Sequence, residues 1–341
     1  MKYLLKTISL LLFAFIFGFI GFILGTTGFS SKFDINHISS IGTIATIGIL
    51  TLTLIWQFLN SKKEKINTQF YELLKYHHTN SNEIELTNPF ELKTNQNREV
   101  HGKKCFMIIY RQYKLAKQIL DYYEHIPKKG NIQNKLLNTS TKHYKKFSKG
   151  VELNDFCKSE IAYIITYHGV SSEAEYDLLE SLQKNYTKEF VTDILKYFRL
   201  FPVHYSDCYK KSDFEILSDN NTEEHAMRYL LNLENKYSNK TFVAYFFGGH
   251  LHRLDHYFRH LFHFVNFIYN DSILSEEERQ DYYKILRTQL STYEQVLFYI
   301  NSQSCLGRDW ELTNDKKQKL ITETKLTKNM PKNMVADLIQ E

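Results

Sequence analysis

Proline is nearly absent. Four occur in 341 residues, Pro89, Pro127, Pro202 and Pro331. Glycine is almost as scarce once the first sixty residues are passed, with seven remaining. No Asn-Gly pair stands between alternating strands, which argues against a hairpin-rich β fold. Cysteine is sparse too: Cys105, Cys157, Cys208 and Cys305 are scattered and form no CxxC pair. That pattern indicates neither a zinc knuckle nor a disulfide framework, and free thiols suit a reducing cytoplasm. There is no internal repeat. A net charge of +5 is too mild to require a nucleic-acid partner.

Charge is missing altogether from two early stretches. None occurs from Thr7 through Ser31, nor from Ile38 to Ser61. Each supplies about 18–20 apolar residues, enough for roughly 30 Å of hydrocarbon at 1.5 Å per residue. The expected spans are 7–25 and 41–59. A cleaved signal peptide fits poorly, because the first run is long, has no A-x-A site and is followed at once by a second span. Lys2 and Lys6 precede the first span, and Lys62, Lys63 and Lys65 follow the second. The positive-inside rule then places both termini in the cytoplasm, as a membrane hairpin. Ala14, Gly18, Gly21 and Gly25 form a small-residue stripe, suited to packing against Gly42 and Ala45 or against a second copy. Neither span carries an ionisable residue at its middle, which argues against a pump or proton relay.

The mean hydropathy of the whole chain is −0.40, so the chain beyond the hairpin is polar and water-facing. Apolar residues at spacings of three and four predict an all-α body over residues 62–305. Helices are expected at "NTQFYELLKYHH" (continuing the second span), "KKCFMIIYRQYKLAKQILDYYEH", "DFCKSEIAYIITYH", "AEYDLLESLQ", "KEFVTDILKYF" and "TEEHAMRYLLNLENKY". Ser172 with Glu175, and Ser275 with Glu278, read as capping boxes. The second opens one long helix through about Ser302. Two stretches read as loose linkers, Asn80–Asn97 and the lysine-rich Lys128–Gly150. The second is either a solvated loop or a contact to anionic lipid headgroups. Residues 306–341 read as a basic tail or a peripheral helix.

The polar chemistry collects near the carboxyl end. "FFGGHLHRLDHYFRHLFHF" places His250, His252, His256, His260 and His263 within fourteen residues. Gly248–Gly249 marks the entry to its helix. On a helix His252, His256, His260 and His263 share one face, flanked by Arg253 and Arg259. Leu254, Tyr257, Phe258, Leu261, Val265 and Ile268 share the other. Three readings stand. The histidines pack and hydrogen-bond locally. Or His252 and His256, as His-x₃-His, hold a metal, although no cysteine or HExxH glutamate completes a site. Or Arg253-x₆-His260, which matches the loose arginine–histidine spacing of HEPN-type ribonucleases, holds phosphate at Arg253 and moves protons at His260. Further on, Arg287, Glu294 and Asn301 recur every seven residues and read as one face of the long helix, either a buried polar seam or a functional site.

Three segments together resemble the AbiC-like family of phage abortive infection proteins: the hairpin followed by "FYELLKYHH", then "GGHLHRLDHYFRHLFHFVNFI", then "YYKILRTQLSTYEQVLFYINSQS". Carried over, the resemblance singles out His256, Tyr257, Phe258, Arg259, Arg287, Glu294 and Asn301. It implies an anti-phage sensor or effector that arrests or kills the infected cell, non-catalytic or membrane-perturbing. Its implied partners are the lipid bilayer, a phage-encoded trigger or defence-system partner, and a second copy in a homo-oligomer. No cofactor is implied. A ribonuclease toxin, with RNA as substrate, and a passive membrane scaffold are the alternatives.

Overall fold

The computed structural model describes residues 18, 21, 35–90, 99–125, 155–196, 198, 247–307, 310 and 320–338. These are mostly helical. The first span, the Lys128–Gly150 stretch and "TEEHAMRYLLNLENKY" lie outside the described residues, apart from Gly18 and Gly21 of the span. The chain divides into two compact units, one of Met1–Lys75 with Asn266–Tyr282, the other of Tyr76–Val265 with Tyr283–Glu341.

The first unit is built on helix α1, Ile35–Glu83, whose last eight residues belong to the second unit. Its character changes along its length. Ile47, Ile49, Leu50, Leu54, Trp56 and Phe58 are all exposed. This part is long and apolar enough to cross a membrane, and none of its most apolar window is buried within the protein. Its hydroxyls are satisfied internally: Thr46, Thr51 and Thr53 donate to the carbonyls of Gly42, Ile47 and Ile49, each at 2.8 Å. Beyond Lys62 a single buried stripe takes over, with Ile66 and Phe70 at helical spacing. Of the glycine stripe, Ala14 and Gly25 fall outside the described residues. Gly18, Gly21 and Gly42 have open space where a Cβ would stand, so no described element packs closely on them.

The same unit holds the turn from Asn266 to Tyr282. Helix α5, Leu251–Tyr269, ends there, and helix α6, Glu276–Gln289, begins. Asp271 Oδ1 accepts the backbone N–H groups of Ile273 and Leu274 at 2.7 and 3.2 Å, fixing the turn. The Ser275/Glu278 capping box forms as expected: the Ser275 N–H donates to Glu278 at 2.8 Å and the Glu278 N–H to Ser275 Oγ at 3.3 Å. Glu278 also accepts Lys63 Nζ at 2.6 Å. The Tyr282 ring packs on Phe70 with centroids 4.6 Å apart, and its hydroxyl donates to Asn67.

The second unit is organised around helix α3, Asp155–His168, whose side chains from Phe156 to His168 are all buried. It packs on helix α2, Lys104–His125. Helix α4, Glu175–Gln183, comes next in the chain. Its expected capping box is absent. The residue preceding the helix is Ala174, whose conformation is already helical, and the Ala174 N–H instead donates to Ser171 Oγ at 3.3 Å. The Asn80–Asn97 linker also departs from expectation. Glu85–Thr87 (β1) pairs antiparallel with Glu99–His101 (β2), with Leu86 opposite Val100. Three residues per strand, with Leu86 buried and Val100 half-buried opposite it, leave too short an alternation to register in the sequence.

A further correction concerns the long carboxyl-terminal helix, which is two. Helix α6 stops at Gln289 and helix α7, Thr292–Gln303, starts after Ser291. Ser291 adopts an extended backbone and closes a full capping box with Glu294. Arg287 therefore stands on a different helix from Glu294 and Asn301, and the seven-residue repeat is not one helical face. Residues 320–338, expected as a tail or peripheral helix, contribute Leu320, Ile321, Leu326 and Val335 to the buried side chains. They form the short helix α8, Leu320–Thr324, and a 3-10 stretch, Lys332–Leu338.

The entry to α5 lies where Gly248–Gly249 predicts it. Gly249 and Gly169 both have positive φ, 85° and 86°. Their turns interlock: the His250 N–H donates to the Tyr167 carbonyl at 2.7 Å and the Val170 N–H to the Phe247 carbonyl at 2.9 Å. A Cβ on Gly249 would overlap the His168 carbonyl oxygen. Backbone cannot yield there as a flexible side chain would. Gly249→Ala is expected to lower stability by about 3 kcal/mol or more, read as a fall in Tm. An unchanged Tm would show that the two turns separate without cost.

Candidate functional site

Glu294 is the centre of the polar network in the second unit. Its side chain is wholly buried. Oε1 accepts the Ser81 hydroxyl from α1 and the Tyr257 hydroxyl from α5, both at 2.9 Å. Oε2 accepts the Ser291 N–H at 2.7 Å. Burial, then the charge and hydrogen bond of Glu294, hold the Tyr257 phenol well above its ordinary pKa. The carboxylate thus has three donors and no route to a solute. Such an arrangement fixes helices rather than performs chemistry.

Asn301 is likewise buried, and its Oδ1 accepts the Tyr163 hydroxyl at 3.0 Å. Arg287 is half-buried, and its Nη1 donates to the Lys325 carbonyl at 2.9 Å. Phe258 stacks on Phe298, which meets Trp310 edge-on at 4.4 Å. Two members of the network escape sequence reasoning. Ser81 extends the buried stripe of α1, past His77. Glu160 is a buried carboxylate in α3, after Lys158 and Ser159, and accepts Tyr186 Oη at 2.8 Å, the Cys305 N–H at 2.9 Å and Asn185 Nδ2 at 3.2 Å. The signal for Ser81 is its spacing from Phe70 and His77, and for Glu160 the lone acid in "CKSEIAYII".

The histidine stripe divides. His252, His256 and His263 are exposed, His260 is half-buried and His250 is buried, while Leu254, Tyr257, Phe258, Leu261, Val265 and Ile268 face inward as expected. Arg259 is exposed and pairs with Asp255 one turn back. Arg253 donates Nε to the Glu85 carbonyl at 2.7 Å. With His252, His256, Asn80 and Glu83 it lines a cavity of about 290 Å³. His260 is not among the residues lining that cavity. Its ring stacks on His77, centroids 6.2 Å apart, and its Nδ1 is buried without a hydrogen bond. Arg253 and His260 therefore occupy different surroundings. Among the described residues, no three His, Cys, Asp or Glu side chains are grouped as a metal would need.

The buried imidazoles are held neutral. His77 is lowered to about 3 by burial, then by the charges of His260, Lys103 and His78, and neither ring nitrogen has a partner. Burial, then Arg253 and His252, lowers His250 to about 3; its Nε2 meets Gln112 Oε1 at 2.5 Å. Burial lowers His168 to about 4, against the opposing charge of Asp177. His260 is lowered by burial, then by His256 and His263. Two thiols are similarly quiet, Cys105 pushed up to about 11 and Cys157 to about 12, chiefly by burial.

Substitution and pH both test this network. Glu294→Ala removes an acceptor from three buried or half-buried donors and is expected to cost about 3 kcal/mol or more, whereas Glu294→Gln, which keeps an oxygen for the Ser291 N–H, costs about 1–2 kcal/mol. Urea unfolding measures both, and equal costs would discount the network. Turning to pH, groups lowered on folding leave the unfolded chain with more protons, so stability is full above about pH 6.5. It falls as pH drops toward 4 and then 3, by up to about 1.4 kcal/mol per pH unit for each such histidine. His77→Phe is expected to flatten that acid limb without loss of Tm at pH 7.5. An unaltered limb would show that His77 does not contribute.

Among known protein families, residues 249–335 match the one described as "putative phage abortive infection protein". No curated protein and no solved structure matches the chain. The matched residues hold the histidine helix and the Arg287–Glu294–Asn301 segment, two of the three segments on which the resemblance rests; "FYELLKYHH" precedes them. Over residues 249–335 the chain is thus similar to the phage abortive infection family, in line with the resemblance of its AbiC-like motifs.

Proposed function

We propose that this protein is a membrane-anchored abortive infection protein, non-catalytic or membrane-perturbing, that arrests or kills the infected cell on sensing a phage product. The anchor is a hairpin of residues 1–61 in the inner membrane with both termini cytoplasmic, and residues 62–341 form the responding body. The observation that carries this reading is the exposed apolar face of α1, from Ile44 to Phe58, on a chain whose carboxyl segment matches a phage-defence family. Each large apolar side chain left in water would forgo about 1.5–3 kcal/mol of burial, and lipid supplies that burial. Trp56 and Phe58 stand where the apolar stretch gives way to Lys62, Lys63 and Lys65, an aromatic-then-basic order suited to the cytoplasmic headgroups. Lys62 Nζ sits 4.7 Å from the centre of the Phe58 ring.

The reading of a sensor rather than an enzyme is supported by the sealing of Glu294 and by the separate surroundings of Arg253 and His260. Two charges at mid-span test the anchor. Ile47→Lys with Leu50→Lys costs about 2.5–3.5 kcal/mol each at the bilayer centre, and is expected to release the protein from membranes and abolish protection against phage. Deleting residues 1–61 is expected to do the same. Full protection by either soluble form would overturn the proposal. Loss of both cell arrest and RNA cleavage in a folded His260→Ala protein would move the assignment to the ribonuclease alternative.

A further inference from the structure

A second cavity, of about 510 Å³, lies among residues of the matched segment. That volume is within the range of small-molecule sites. Its polar lining is Tyr299 and Gln303 from α7, Thr322 from α8, and Lys325, Thr327 and Lys328 from the turn beyond it. Among the described residues no carboxylate lines it. Among the described residues no carboxylate pairs with Lys325 or Lys328 either.

The backbone of that turn supplies an independent observation. Lys325 has φ 54°, and among the described residues it is the only non-glycine in the left-handed region. It comes directly after the last residue of α8, and its N–H donates to the Ile321 carbonyl at 3.0 Å. Glycine or asparagine is the usual occupant of such a helix end, because a Cβ there is strained. The lysine is held by its surroundings. Leu326 and Thr324 on either side are fully buried, and Arg287 clamps the Lys325 carbonyl. The Lys328 N–H donates to the same carbonyl at 3.1 Å, which sets the two lysines on one rim. Arg287, one of the residues the family resemblance singles out, thereby positions Lys325 and adds a third positive charge nearby.

We propose that this cavity binds a soluble phosphorylated small molecule, with Lys325 and Lys328 neutralising the phosphate. Two ammonium groups match a dianion. The Thr327 hydroxyl and the Gln303 amide offer further donors to a group with three terminal oxygens. Succinate carries the same charge as a dianion, but on two separated planar carboxylates rather than on one compact group with three terminal oxygens. The assignment is independent of the membrane reading.

The test uses the full-length protein in zwitterionic nanodiscs, titrated calorimetrically with inorganic pyrophosphate, ATP and succinate. Saturable binding of pyrophosphate or ATP is expected, with succinate at least tenfold weaker. Lys325→Gln with Lys328→Gln is expected to weaken binding at least tenfold, and Lys332→Gln to leave it unchanged. Lys325→Gly separates the site from the fold: relief of strain raises Tm while binding falls. Three results would each overturn the proposal: no saturable phosphate binding, wild-type affinity in the double variant, or succinate binding as tightly as pyrophosphate. Binding seen only when phosphatidylglycerol is in the disc would also overturn it, by assigning the chemistry to lipid headgroups.

Discussion

The second unit depends on one buried carboxylate. Glu294 accepts hydrogen bonds from α1, from α5 and from the first turn of its own helix. An anion without such donors would be intolerable at zero exposure. The three helices must therefore meet in one register, since a shift of any one by a turn would leave the charge short of a donor. Hydrophobic burial alone would permit such slippage, because Leu, Ile and Phe faces exchange partners at modest loss. The arrangement thus contributes specificity beyond its net hydrogen-bond energy.

A single capping box both supplies one of those donors and breaks the chain into α6 and α7. Ser291 turns the backbone, and Glu294 closes the box with one oxygen while turning the other to Ser81 and Tyr257. The break at Ser291 leaves Arg287 on α6, where it caps the helix end at Lys325 instead of joining Glu294. The three residues that look like one stripe in the sequence thus do two separate jobs. Two hold helices together from within, and one holds a strained turn.

Much of this fold is legible in the sequence, and the failures share a cause. The inward face of α5, the glycine entry at Gly248–Gly249 and the Ser275/Glu278 cap all arise from local spacing. The Ser172/Glu175 pair has the same spacing, yet Ala174 is already helical and no cap forms. At Ser291 the reverse holds, since a cap signal lies inside a run of residues that otherwise reads as one continuous helix. Local chemistry is right about which residues can cap and silent on which do. The His77–His260 stack and the Ser81–Glu294 bond join residues far apart in the chain, and no window of sequence contains both partners. The pairing of Leu86 with Val100 escapes notice because three-residue strands carry no period.

The Ser81–Glu294 bond also bears on how the chain is made. Its partners are separated by 213 residues. At a synthesis rate of about 5–20 residues per second, Ser81 waits roughly 10–40 s on the ribosome before its acceptor exists. During that interval the Ser81 hydroxyl lacks the carboxylate that receives it in the folded protein. The nascent protein passes that interval with α1 made and its keystone still unwritten.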